Sequence, residues 1–179
     1  MIIGISGKAR SGKDEVAKYL VKNHGFHRRA FADSLKDAAR AIFGFNNDQV
    51  YGTKKEVVDE YWQRTPREIL QLLGTECLRQ GYGDDVWVRS LYKHILNTDC
   101  ERWVIPDVRF ISEVEGIRAW GGVIWRINRP GLVDVGIAGH ASEHELDNFI
   151  DFDDMIHNDG SLEILWARIE VILKRSCSQ

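Results

Sequence analysis

The 179-residue chain has only three cysteines, Cys77, Cys100 and Cys177, with no CxxC pair and no Cys/His ligand spacing. A disulfide framework and a structural zinc are therefore not expected, and the thiols read as reduced, in a cytosolic setting. No window approaches 18 apolar residues, and the opening Met1-Ile2-Ile3-Gly4 has neither the basic nor the long apolar region of a secretory signal. No membrane association and a cytoplasmic location are expected. An excess of positive charge is also missing: 24 Lys and Arg stand against 27 Asp and Glu, for a net charge of −3. That balance argues against binding to polymeric nucleic acid by bulk electrostatics, so phosphate recognition has to be local. Repeats, low-complexity tracts and linkers are absent too. One domain over residues 1–179 is expected, long enough to bury about 70 % of its unfolded surface without covalent staples.

What the chain does have is a phosphate-binding loop near its start. An apolar stretch, Ile2 to Ser6, runs into Gly7-x-x-x-x-Gly12-Lys13, and an amphipathic helical run with Val16, Ala17, Leu20 and Val21 follows from Glu15. Glycines let the backbone curl so that successive N–H groups face phosphate oxygens. The following helix adds the positive end of its dipole, and the lysine reaches the β- and γ-phosphates. Gly7, Arg10, Ser11, Gly12, Lys13, Asp14 and Glu15 are accordingly candidate ATP-binding residues. The motif asks for Ser or Thr after the lysine, where this chain has Asp14. A carboxylate there suits Mg²⁺, directly or through water, and equally suits the first turn of a helix.

Four segments, Ile2 to Ser6, Arg28 to Phe31, Trp103 to Pro106 and Val123 to Ile127, read as short buried strands, with a fifth at Asp154 to His157 and helical stretches between. This alternation predicts a three-layer α/β/α architecture around a mostly parallel five-stranded sheet, with ligands at the carboxyl ends of the strands. After the second strand, Asp33 is expected to cap a helix whose apolar face is Leu35, Ala38, Ala39, Ile42 and Phe43. Lys36 then falls in the first turn, against the helix dipole; either a bound phosphate compensates or the lysine is solvated beside Asp33 and Asp37. Residues 47–63 are polar and read as a flap.

Thr65-Pro66-Arg67-Glu68 offers an N-cap, a first-position proline and a capping box. Arg67 suits a phosphate bidentately or pairs with a neighbour such as Glu68. Its helix is expected to bury Ile69, Leu70, Leu72, Leu73 and Cys77 and to stop near residues 80–83; Trp87, in the next helix, stacks on a base or belongs to the core. The third strand ends in Pro106-Asp107-Val108-Arg109. An acid at a strand tip beside the loop meets Mg²⁺, its waters or an attacking hydroxyl, and Arg109 shares its direction. The fourth strand passes through Arg126, expected to point at a helix, and reaches Arg129 and a glycine-rich stretch that reads as a lid over residues 129–145. Arg129 there can neutralise transferring charge. His140, Ser142 and Glu143 order that lid or touch substrate. Residues from Asn158 to Ser161 cap a last helix with Leu162, Leu165, Trp166, Ile169 and Ile172 on its apolar face, or lie against the adenine of ATP, which puts Asn158 and Gly160 among the nucleotide candidates.

Gly7 to Asp14, Leu35-Lys36-Asp37-Ala38, Leu73-Gly74-Thr75-Glu76, Trp87-Val88, Ile105 to Arg109, Arg129-Pro130-Gly131, His140-x-Ser142-Glu143 and Asn158 to Glu163 together resemble, in this order, the bacteriophage-type deoxynucleoside monophosphate kinases. The resemblance spans nearly the whole chain, and that family also places Asp after the loop lysine. It implies the P-loop nucleoside monophosphate kinase fold, an acceptor-binding helical region at about residues 44–98, and transfer of the γ-phosphoryl group of ATP to a deoxynucleoside 5′-monophosphate. Under it Lys13, Arg10, Asp107 and Arg129 are catalytic, and Asp14 and Asp107 meet Mg²⁺. Lys36, Arg67, Gly74, Trp87, Asp107, Arg109 and Glu143 bind the acceptor. Catalysis is then positioning and charge neutralisation. A phage-encoded enzyme would work in the host cytoplasm, and a homodimer stays open. So do two alternatives: another small-molecule kinase of this fold, such as a dephospho-coenzyme A kinase, and a nucleotide-binding module that does not turn over.

Overall fold

The computed structural model describes residues 1–132 and 145–176. In chain order the elements are β1 (Ile2–Ser6), α1 (Lys13–His24), β2 (His27–Arg28), α2 (Phe31–Phe43), α3 (Asn47–Tyr51), a 3₁₀ turn (Thr53–Glu56), α4 (Pro66–Gln71) continued by a π-helical stretch (Leu72–Gln80), α5 (Val86–Leu96), β3 (Trp103–Ile105), α6 (Ile111–Ala119), β4 (Val123–Asn128), β5 (Asp154–His157) and α7 (Leu162–Ser176). They divide into two compact units, one of Met1–Arg29 with Thr98–Gln179 and one of Ala30–Asn97. No helix among the described residues is long and apolar enough to cross a membrane.

The first unit is built on a five-stranded sheet of order β2-β3-β1-β4-β5, parallel throughout. β1 lies at its centre because its alternate residues are buried on opposite faces, as a doubly covered parallel strand requires. Ile3 and Ile5 are fully buried with Val16, Leu20, Leu165 and Ile169, so α1 and α7 cover one face. On the other face Gly4 has no side chain, and a Cβ there would stand 2.7 Å from Ile117 Cδ1, so α6 packs directly against the strand backbone. Each large aliphatic side chain buried this way contributes about 1.5–3 kcal/mol. The consequence for function is placement: the carboxyl ends of β1, β3 and β4 lie side by side.

The second unit is helical. Ala39, Phe45, Val50, Ile69 and Leu70 form its core, with Leu35, Phe43 and Leu73 packed against them. Here the chain departs from several expectations. The second strand is only His27–Arg28, and Phe31 already begins α2. Asp33 is not the cap but the third helical residue, reaching back so that its carboxylate accepts the Ala30 N–H at 2.8 Å. Starting earlier, α2 carries Lys36 in its second turn, where the dipole no longer opposes it. Its buried side follows Phe31, Leu35 and Ala39, four residues apart, and Ile42 turns outward at 59 % exposure. The stretch expected as a flap instead holds α3, because Asn46 and Gln49 cap each other's backbone (3.1 and 3.0 Å) and Val50 is fully buried. Past Gln71 the π-helical winding changes the facing of successive residues, and Leu72 and Cys77 are exposed rather than buried. Val21 and Leu162 are likewise more exposed than their periodicity suggests.

Candidate active site

The turn from β1 to α1 has the backbone its glycines predict. Gly7 has φ +147° and Gly12 φ +104°, and Arg10 between them takes φ 63°, which an L-residue adopts only where the surroundings enforce it. A Cβ on Gly7 would lie 2.6 Å from the Ile127 carbonyl oxygen, and one on Gly12 would lie 2.4 Å from Asn158 Nδ2. Gly12 precedes α1 without any side-chain cap, so the helix presents its first N–H groups to an anion. Lys13 Nζ donates to the carbonyls of Gly7 (2.6 Å) and Lys8 (2.7 Å), which stretches the ammonium along the loop. Ser11 Oγ is buried with no hydrogen-bond partner among the described residues. The loop thus has the cradle and the cation that a nucleotide polyphosphate needs.

Asn158, just past β5, donates its side-chain amide to the Ser11 carbonyl at 2.8 Å and so clamps the loop rather than merely capping α7. Gly160 follows it closely packed, with a Cβ there only 2.9 Å from Ile164 Cδ1. Glu15 pairs with Lys18 at 2.6 Å. Arg10, Asp14 and Arg129 are exposed. Asp107 is half-buried, and the segment after it is fixed from two sides. The Val108 N–H donates to the Ile5 carbonyl (3.2 Å), and the buried Glu113 carboxylate accepts from the N–H groups of Arg109 (2.8 Å) and Phe110 (3.1 Å). Arg109 is thereby held at a recess beside the loop, with Ser6, Gly7, Lys8, Val108, Arg126, Leu146 and Asp147 as its other walls.

Arg126 corrects an expectation. Paired in register with Ser6 across β1 and β4, it turns toward the loop and not toward a helix, donating from Nη1 to Ser6 Oγ at 3.0 Å. Burial pulls its pKa down and the nearby Asp147 opposes that shift. Lys8 Nζ meets Asp147 at 2.6 Å. Sequence reading passes over Lys8 and Asp147 and gives Arg126 a different facing. The strand register would have found Arg126, since it is the neighbour of the residue before the loop; Asp147 follows no strand and carries no pattern.

In the helical unit, Lys36 Nζ sits 4.1 Å over the Tyr51 ring. Arg67 pairs through Nε with Glu56, not with Glu68, which instead closes the expected capping box with Thr65. Gly74 lies in the π-helical stretch, a feature concentrated at functional sites. A Cβ on it would stand 2.7 Å from Leu35 Cδ2. Its carbonyl accepts the indole N–H of Trp87 at 2.9 Å, and Trp87 itself is 8 % exposed, which favours the core role over open stacking. Glu143, with His140 and Ser142, lies outside the described residues, as does most of the expected lid. Among the described residues no three His, Cys, Asp or Glu side chains gather as a metal site.

Comparison with known proteins places the chain among characterised sequences and folds. Residues 43–169 match the family described as deoxynucleotide monophosphate kinase. The chain is 35 % identical, over 94 % of its own length and 94 % of the other, to a candidate deoxynucleotide monophosphate kinase of Acanthamoeba polyphaga mimivirus. It is 24 % identical to the deoxynucleotide monophosphate kinase of Enterobacteria phage T4, over 97 % of this chain and 98 % of that one. Among solved structures it resembles the crystal structure of TT1252 from Thermus thermophilus, with a TM-score of 0.55 at 19 % identity over 98 % of this chain and 97 % of that one, a likeness of fold.

Proposed function

The chain belongs to the deoxynucleotide monophosphate kinase family, and from that premise we propose that its phosphate loop holds the donor ATP while arginines and a lysine outside the loop take the acceptor phosphate. The observation that carries this reading is the recess in which Arg109 and Arg126 share walls with Gly7 and Lys8. Two guanidinium groups beside a complete phosphate loop exceed what binding a donor requires, and they suit a reaction in which two polyanions must approach each other.

Lys13 and the loop N–H groups bind the donor's β- and γ-phosphates, and Ser11, Glu15, Asn158 and Gly160 keep the loop and its surroundings in shape. Arg109, Lys36 and Arg67 are the cations for the acceptor phosphate, with Gly74 and Trp87 shaping the base side. Arg10 and Arg129 neutralise the transferring group, and Glu143 contacts the acceptor. The acceptor phosphate is itself the nucleophile, so the protein's contribution is alignment and charge compensation rather than proton abstraction. The donor chemistry fits a Mg²⁺ that arrives with the nucleotide: the carboxylates of Asp14, at the start of α1, and Asp107, after β3, are hard-cation ligands that would hold it together with substrate phosphates. Bound there, Mg²⁺ supplies neutralisation of phosphate charge.

The test is ADP formation from ATP and Mg²⁺ with each deoxynucleoside and ribonucleoside monophosphate in turn, with the product identified by chromatography. Stimulation by one or more deoxynucleotides with the matching diphosphate is expected. ATP hydrolysis indifferent to every monophosphate would overturn the assignment of the acceptor groups.

A further inference from the structure

Lys8 and Arg126 hold one carboxylate between them at the edge of the phosphate loop. Lys8 Nζ donates to Asp147 Oδ2 at 2.6 Å, and Arg126 Nη2 stands 3.7 Å from Asp147 Oδ1. Arg126 is set in place by other groups: Nη1 is committed to Ser6 Oγ, the guanidinium lies 5.4 Å over the Phe152 ring, and the side chain is 16 % exposed. Its link to Asp147 is longer than a hydrogen bond, so it is an ion pair that another anion can replace without disturbing the arginine. A carboxylate and a phosphoryl group offer the same paired oxygens to a guanidinium fork and an ammonium. The cavity these side chains line is the one that opens on Gly7 and Arg109.

We propose that Lys8 and Arg126 form an additional phosphate subsite of the enzyme, and that Asp147 is an internal anion that occupies it until a nucleotide phosphoryl group takes its place. The identity of the incoming anion rests on the kinase reading above; the subsite itself rests on the geometry. Because Asp147 competes with substrate, nucleotide binds less tightly than the two cations allow, and the same carboxylate hastens release of a phosphorylated product. The phosphoryl group belongs either to the ATP donor or to the acceptor monophosphate, and the two are separable by experiment.

Equilibrium binding of ATP alone, and in a separate arm of each deoxynucleoside monophosphate alone, would be measured for the wild type, Asp147→Asn, and Asp147→Asn combined with Lys8→Gln and Arg126→Gln. Asparagine keeps the shape and removes the charge. The Kd for at least one nucleotide is expected to fall about three- to tenfold in Asp147→Asn, the scale of one partly exposed ion pair, and the arm in which it falls names the source. The fall should vanish when Lys8 and Arg126 are also replaced. No tightening in either arm would overturn the proposal, and so would tightening that persists in the combined variant, which would reflect net charge alone. Should Asp147→Asn not fold, Lys8→Gln in the wild-type background serves instead: a weaker Kd supports the subsite and an unchanged one refutes it. Diphosphate formation by the same wild-type preparation reports separately on the kinase reading, so the two failures are distinguishable.

Discussion

Asn158 and Ser11 are 147 residues apart in the chain, yet the asparagine side-chain amide donates to the serine carbonyl at 2.8 Å. This bond ties the end of an edge strand to the middle of the phosphate loop. A loop whose N–H groups must all point inward gains from such an anchor, because the ordering is done before the nucleotide arrives. Replacing Asn158 with Ala removes one hydrogen bond, costing about 1 kcal/mol. The ATP KM should rise about fivefold, with the monophosphate KM unchanged, as steady-state kinetics varying each substrate in turn would read.

The same amide nitrogen limits Gly12. At φ +104° and with a Cβ only 2.4 Å from Asn158 Nδ2, alanine is strained by both backbone and contact. Gly12→Ala should destabilise the protein by about 1–3 kcal/mol and weaken ATP binding. In an Asn158→Ala background the contact disappears and the backbone strain stays. The double variant should therefore lose less than the sum of the two singles, a coupling that paired thermal melts would measure.

Lys13 reaches along the loop to two carbonyls and has no role in the hydrophobic core. Lys13→Ala should cut kcat by roughly 10²–10³-fold, the cost of removing one preorganised donor to developing charge, with circular dichroism and Tm near wild type. Turnover close to normal in a folded variant would remove the loop from the chemistry.

Much of this was legible because the signals are local. The glycine spacing fixed the loop, and Thr65 to Glu68 fixed the start of α4 down to its reciprocal hydrogen bonds. The boundary at Asp33 differs because an acid near a helix start suits either the cap or the third helical position, where it accepts the cap residue's own N–H, and the local sequence does not distinguish the two. Leu72 departs from its expected burial because the π-helical winding that begins there rotates the buried stripe. The facing of Arg126 toward the loop and its meeting with Asp147 are not legible for another reason: they arise only through strand register and long-range packing, which no single window of sequence contains.

The Thr65–Glu68 capping box also predicts a pH effect. Glu68 accepts from the Thr65 N–H at 2.8 Å and from its hydroxyl at 3.0 Å, and these bonds hold its pKa below the ordinary 4.5. A depressed folded-state pKa stabilises above the unfolded value and is lost as pH falls through the folded one. Glutamine can accept the same bonds without the charge. The Tm advantage of wild type over Glu68→Gln should therefore be constant near neutrality and shrink below about pH 4.5, where thermal melts in matched ionic strength would follow it.

Arg67, two positions before the Ile69–Leu70 pair that anchors α4, has two competing explanations that kinetics can separate. Its ion pair with Glu56 joins side chains that are 37 % and 58 % exposed, and such pairs contribute at most about 1 kcal/mol. If that pair were its whole purpose, Arg67→Ala and Glu56→Gln would each lower Tm slightly and leave both KM values alone. The acceptor role predicts otherwise. Arg67→Ala should raise the monophosphate KM about ten- to a hundredfold, the loss of a charge-assisted contact of about 1.4–2.7 kcal/mol, with the ATP KM unchanged. Glu56→Gln should move the monophosphate KM the opposite way, because it releases the guanidinium from a rival carboxylate. Opposite signs from the two partners of one ion pair cannot arise from lost stability, so this pair of variants decides whether Arg67 serves the fold or the substrate.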